Sequence, residues 1–349
     1  MRERPYTHVR RNSHGERADE GVVARCFGLW PMKRAPVIAA VVVGLGLAAA
    51  PAIFQMFSRA PLGGEMIDDF RPYMTQERAD TFRGYLALFD AAVAEATGEL
   101  QPDIVAGGDV DDVEYRAQFP SVSTLGETWS AINADMTDLV DTIDDNIVNY
   151  EAVDALPPFP LFPWFFVLPG LMIAAVGVFA LRRASRRLLL ILACLGLAVV
   201  LAPAVFQMFT RAPKGADMID DFRPMMVRQR VQNVQGYFIT IGAAEGQLRN
   251  AAVPFAAELS GQSAEAAAAS YPAISELSAQ WPTIFGDFAP MIGAMSDNVD
   301  NFAAVDALPK FSLFPWFFVA PGLLVFGLAM FARRQPASST AGQTVAQSN

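Results

Sequence analysis

The stretch FQMFSRAPLGGEMIDDFRP runs from Phe54 to Pro72, and FQMFTRAPKGADMIDDFRP runs from Phe206 to Pro224. The offset of 152 residues recurs elsewhere: Trp129 answers to Trp281, and Trp164 to Trp316. The register holds without a gap from Ala50 through Gly170, and the closing phrase DNIVNYEAVDALPPFPLFPWFFVLPG from Asp145 returns as DNVDNFAAVDALPKFSLFPWFFVAPG from Asp297. Internal repeats govern how a fold is read, so the chain is read as one unit written twice.

What the unit contains follows from hydropathy. The chain is 53 % apolar and 18 % charged, against roughly 45–50 % and about 25 % for soluble domains. The apolar excess is concentrated in Ala35–Phe57, Leu161–Leu181, Leu188–Phe209 and Leu313–Phe331, none of which contains an ionisable side chain apart from Cys194. Each has about the 17–25 residues that cross a hydrocarbon core. Each unit is therefore span, outer domain, span.

Charge sets the expected orientation. Arg and Lys outside the two long loops fall in the tail through Arg34, in the connector Arg182–Arg187, or at Arg333 and Arg334. Positive flanks face the cytoplasm, so both termini and the connector are expected inside the plasma membrane and both loops outside. The chain divides into a basic, disordered tail 1–34, spans 35–57 and 161–181, a connector 182–187, spans 188–209 and 313–331, and a disordered tail 332–349. The outer domains are 58–160 and 210–312. Loop one carries 5 basic and 21 acidic residues, loop two 7 and 11, so the outer surface is expected to be electrically lopsided, with nucleic acid excluded as a partner. A doubled two-span unit carries both copies in one orientation, as in parallel-repeat membrane proteins.

The first span also has the outline of a signal peptide, with Met32-Lys33-Arg34 before it and Ala48-Ala49-Ala50 near its end. Its counterpart inside the chain ends in the same way, at Ala202-Pro203-Ala204. Both are read as retained helices, with Met32 an alternative start. The Arg-over-Lys and Ala-rich composition points to a GC-rich bacterial source.

Both loops read as helical. Val122, Leu125, Trp129, Ile132, Met136, Leu139, Ile143, Ile147 and Tyr150 step by three and four, and Ile274 through Phe302 do likewise. A second stripe, Phe82, Leu86, Phe89 and Val93, predicts a helix over about 74–100 that packs antiparallel to the first. Gln101–Pro120 and Val253–Pro272 read as loops, with a short helix over Ala264–Ser270. The fold class is all-α, with the four long outer helices bundled on four spans.

Few residues suggest chemistry. Asp68, Asp69 and Arg71, with their counterparts Asp220, Asp221 and Arg223, could bind a cation or a headgroup. The preferred reading is helix capping, Arg71 pairing with Asp154 or Asp145 of the returning helix and Asp306 answering to Asp154. Trp164 and Phe165, with Trp316 and Phe317, sit where an aromatic belt anchors a span. Asp109, Asp111, Asp112 and Glu114 resemble part of a calcium loop but lack its spacing, and are read as a solvated acidic loop, as are Asp135, Asp138, Asp141 and Asp145. His8 and His14 are the only histidines, so neither loop can host a histidine-based triad or zinc site. No metal, cofactor or catalytic residue is expected. The partners expected are membrane lipids, an envelope protein and a second copy. The functional expectation is a non-enzymatic envelope protein whose ectodomain binds a protein, lipid or cell-wall partner. The alternative is transport or lipid handling through a groove between the halves.

Overall fold

The computed structural model describes residues 34–183 and 185–335; the tails expected to be disordered lie almost wholly outside them. Among the described residues every regular element is helical. The first half contains α1 (Ala35–Ile53), α2 (Met56–Phe70), α3 (Gln76–Glu95), α4 (Gln101–Gly108), α5 (Asp112–Gln118), α6 (Pro120–Asp145), α7 (Ile147–Asp154) and α8 (Phe162–Arg183). The second contains α9 (Arg186–Val205), α10 (Met208–Phe222), α11 (Arg228–Gln247), α12 (Val253–Ser260), α13 (Ala264–Ser270), α14 (Pro272–Asp306) and α15 (Trp316–Arg334).

Helices α1, α8, α9 and α15 are long and apolar enough to cross a membrane. Their outward faces expose Val42, Leu45, Leu168, Leu171, Leu190, Leu197, Leu323 and Leu324, a surface suited to lipid rather than water. Inside the layer, α1 packs on α8 and α9 on α15 through glycine. A Cβ on Gly44 would stand 2.8 Å from the Gly170 carbonyl oxygen, and one on Gly170 would stand 2.6 Å from that of Gly44. Gly196 and Gly322 meet in the same way, at 2.8 Å each. Van der Waals contact of this closeness is what holds helices together where no hydrophobic drive acts between them.

Several boundaries differ from expectation. The first and third spans end at Ile53 and Val205, four residues early, because Gln55 and Gln207 adopt left-handed backbone at φ 55° and 53°. The chain bends there and restarts as α2 and α10. The segment SRAPLGG is helical despite its Pro and Gly residues: Gly63 sits where a Cβ would be only 3.3 Å from both Phe159 and Val305, so small residues let α2 press into the base of the lobes. At the other end α15 continues to Arg334, past the expected start of the tail, and the connector narrows to the two residues between α8 and α9.

Above the spans, α3, α6, α11 and α14 form a four-helix bundle around Phe82, Phe89, Phe238 and Phe288. Phe288 stacks on Phe82 at 4.5 Å and meets Phe238 at 4.7 Å between ring centres. Helix α14 runs unbroken for 35 residues, whereas its counterpart is interrupted at Asn146 into α6 and α7. A π-helical turn follows both α3 and α11, at Ala96–Leu100 and Leu248–Ala252. Each precedes a proline, Pro102 or Pro254, whose missing N–H weakens the regular ladder there. The stretches expected to be loops are largely helical, as α4, α5 and α12; the short helix expected at Ala264–Ser270 is α13.

Candidate functional site: the seam between the halves

The polar residues that repeat 152 positions apart lie mostly along the surface where the two lobes meet. At the foot of the bundle, the Arg59 guanidinium donates to the Ala307 carbonyl at 3.0 Å, and Arg211 donates to that of Ala155. Each arginine reaches the last carbonyls of a helix in the other half, where a cation is favourable. Higher up, the buried Asn298 amide donates to Asp69 at 2.9 Å, and the buried Asn146 amide to Asp221 at 3.1 Å. Asn301 and Asn149 hold these asparagines from behind.

Higher still, Arg78 meets Asp287 at 2.9 Å while the Tyr85 hydroxyl donates to the same carboxylate at 2.8 Å. Its counterpart is Arg230 with Asp135, to which the Tyr237 hydroxyl donates at 2.7 Å. Burial, then the hydrogen bond to aspartate, raises both tyrosines above the ordinary phenol value. At the level of the π-helical turns, Gln247 accepts from the Ser121 and Val122 amides, and Glu95 accepts from that of Ile274. These side chains satisfy helix N-termini of the opposite half. The ties thus come in matched pairs, and each crosses between halves.

The core of the seam is apolar. Met66, Ile67, Phe70 and Met74 face Met218, Ile219, Phe222 and Met226 around a cavity of about 50 Å³. Tyr150 closes one side, its hydroxyl bonded to the Ile67 carbonyl and its pKa pushed up to about 12 by burial. Below the cavity three phenylalanines meet their own counterparts: Phe159 with Phe311 at 6.1 Å, Phe162 with Phe314 at 5.8 Å and Phe166 with Phe318 at 4.4 Å.

The residues singled out from sequence divide between this seam and its margins. Asp68, Arg71 and Asp154 come together within one half, Arg71 lying 2.8 Å from Asp68 and 2.7 Å from Asp154. Arg223 joins Asp220 and Asp306 at 2.7 Å each. The Arg223 hydrogen bond holds the Asp306 carboxyl below its ordinary range. Asp69 and Asp221 are not in these clusters; they face the other half. None of the four aspartates caps the helix that follows. They close α2 and α10 at the C-terminal end, and Thr75 caps α3 instead. A carboxylate there opposes the helix dipole, which the arginine and asparagine partners offset.

Asp109 ends α4 in left-handed backbone, and Asp111 with Glu114 forms a capping box on α5. Asp112 accepts from Gln101 at 3.4 Å. The segment is thus built into helix ends and is less of a free acidic loop than expected. Among the described residues no His, Cys, Asp and Glu side chains gather as a metal site. Asp135 and Asp141, expected on a solvated face, are instead held by Arg230 and Arg83. Trp164 and Trp316 are about half exposed and pair edge-on with Phe57 at 5.7 Å and Phe209 at 6.0 Å. Phe165 reaches Phe206 and Phe317 reaches Phe54, across the halves. The result is an aromatic collar at the junction of spans and lobes. Sequence reading missed Arg59, Arg211, Asn146 and Asn298; their identity at both copies was the available signal.

The outward faces differ. On the first lobe Arg83 lies 2.9 Å from Asp141 and 2.6 Å from Asp144, and the Trp129 indole donates to Asp90 at 2.9 Å. The second lobe has Gln235, Gly293, Ser296 and Gly242 at the corresponding positions, and an open groove of about 660 Å³ lies between α11 and α14. Phe238, Ile239, Trp281 and Phe285 line it. No protein-family model matches the chain, and no curated protein matches it in sequence.

Proposed function

We propose that the chain is a non-enzymatic integral membrane protein of the bacterial cell envelope, formed by tandem duplication of a two-span unit. The two halves are related by an approximate two-fold axis along the membrane normal, marked by Phe159, Phe162, Phe166 and their counterparts. Both termini lie in the cytoplasm. The lobes stand outside as one platform that binds a protein, lipid or cell-wall partner near the membrane. The observation carrying this reading is the open apolar groove on one lobe only, at positions where the other lobe is sealed by ion pairs. A groove lined by Trp281, Phe285 and Ile239 has the chemistry of a contact surface. The repeated polar groups that would otherwise suggest chemistry are engaged, Asp69 and Asp221 in ties between the halves and Arg71 and Arg223 in ion pairs within one half.

The alternative, a solute or lipid path between the halves, is less well supported. The space on the axis is about 50 Å³, and the larger pockets between the halves, about 250 Å³ beside the spans and about 270 Å³ near Asp103 and Tyr271, share no lining residue with it or with each other, whereas ligand clefts run to about 300–1,000 Å³.

Two measurements test the proposal. Reporter fusions within 58–160 and 210–312 are expected to place both lobes outside; either one in the cytoplasm sinks the topology. Crosslinking in native membranes, followed by gentle solubilisation, is expected to recover a partner. Recovery of neither a second copy nor any other protein, lipid or glycan above background rejects the binding role.

A further inference from the structure

The groove between α11 and α14 is uncharged over an unusual length. From Val231 to Ala244, α11 has no ionisable carboxylate, amine or guanidine, and from Leu277 to Met295 α14 has only Asp287. That carboxylate turns away from the groove, to Arg78 and Tyr85 of the other lobe. Ile239 is 74 % exposed and Phe285 51 %. Gly293, which lines the groove, has nothing within 4 Å of where a Cβ would stand, so another backbone can come close there.

We propose that this face is the interface of a homodimer, with the exposed Ile239 and Phe285 of each copy packing against the groove of the other. The inference rests on the reading of the lobes as an ectodomain on one side of the membrane, and it names the partner. Three observations favour a second copy over other occupants. First, the groove runs along the unbroken α14 from Gly293 to Trp281, 13 to 25 residues above Asp306, or about 20–37 Å at 1.5 Å per residue. That is too far from the spans for lipid, while every copy in the same bilayer presents the groove at that height.

Second, a two-fold axis along the membrane normal matches a surface with itself and closes the assembly. An uncharged face meets its complement there without stranding a charge. Third, the outer loop containing the groove has 7 basic and 11 acidic residues, against 5 and 21 for the other. Pairing through the second lobe brings the weakly charged lobes together and keeps the strongly acidic ones apart.

The test uses the full chain in native membranes, with Cys26 and Cys194 replaced by serine and one new thiol introduced. With Ile239→Cys, a short bis-maleimide is expected to yield an adduct of twice the 37.8 kDa chain mass. Ala87→Cys, at the corresponding exposed position of the first lobe, is expected to yield none. Phe285→Asp is expected to weaken dimerisation in mild detergent by at least tenfold with an unchanged melting temperature, since the side chain is half exposed. An Ile239→Cys adduct of another mass overturns the second-copy proposal while leaving the partner-binding reading intact. A chain that stays monomeric in membranes under both thiol variants overturns it outright, whatever the general pull-down recovers.

Discussion

The surface where the lobes meet and the surface that faces outward share one backbone plan but not one residue set. Inside the seam, Arg59, Asp69, Arg78 and Tyr85 are repeated as Arg211, Asp221, Arg230 and Tyr237, each with its partner. Outside, Arg83, Asp90 and Asp141 correspond to Gln235, Gly242 and Gly293. A residue in the seam touches the other half's copy of the motif, so a change on one side leaves a buried polar group unpaired on the other. An outward residue answers only to its own lobe and to solvent. The difference teaches that the ties across the seam keep their residues in both copies, whereas the outward positions of the second lobe have lost the charged pairs of the first.

The comparison can be broken hardest within the spans. Gly170→Leu forces a side chain against the Gly44 carbonyl and the Ala48 backbone, which cannot yield. Overpacking costs about 1–3 kcal/mol and more against backbone, so most folded protein should be lost in detergent size-exclusion chromatography. Gly46→Leu, which meets nothing within 4 Å, should leave the profile unchanged.

The seam comes next. Asn298→Leu strands Asp69, and Asn146→Leu strands Asp221. Each should lower stability by about 1–3 kcal/mol, read from thermal melts of purified protein. The two effects should agree closely; a large inequality would mean the halves do not share the seam evenly.

A smaller effect is expected at the acidic segment. Asp111→Ala removes the capping box on α5 and should cost about 1 kcal/mol. Added calcium should leave the melting temperature of the parent protein in place, and a calcium-dependent rise would restore the ion-binding reading of Asp109, Asp111, Asp112 and Glu114.

Acidity gives the mildest change. Hydrogen bonds from Arg223 and Arg83 depress the Asp306 and Asp144 carboxyls. A depressed carboxyl contributes stability that is complete above the unfolded value of about 3.9 and is lost as pH falls through the folded value. Melting temperature should therefore be flat from neutral pH down to about 5 on account of these groups and decline below about 4. Because the pairs are largely exposed, 150 mM or higher salt should shrink the decline.

The spans, the stripes and the repeat were legible because hydropathy and period are local properties of the chain. Leu125, Trp129 and Ile132 announce a buried helix face whatever they pack against. The partner of Asp69 was not legible, since nothing in the sequence says whether a lobe folds on itself or against its copy. Asn298 lies 229 positions away from Asp69. Helices α2 and α10 were hidden for another reason. Their Pro and Gly content argues locally for a hinge, and only the crowding by Phe159 and Val305 explains why small residues are needed inside a helix.

Gln55 and Gln207 join each first span to its lobe through a single left-handed residue that carries a side chain. Glutamine in that conformation is costly, by about 1–3 kcal/mol, and it moves far less freely between backbone basins than glycine would. The joint therefore behaves as a fixed elbow and not a swivel. Spans of 19 and 20 residues tilt as bilayer thickness changes, and a fixed elbow passes that tilt on to the lobes. In the topology proposed above, a change in bilayer thickness is therefore expected to reach the paired asparagines and arginines through the tilt of the spans.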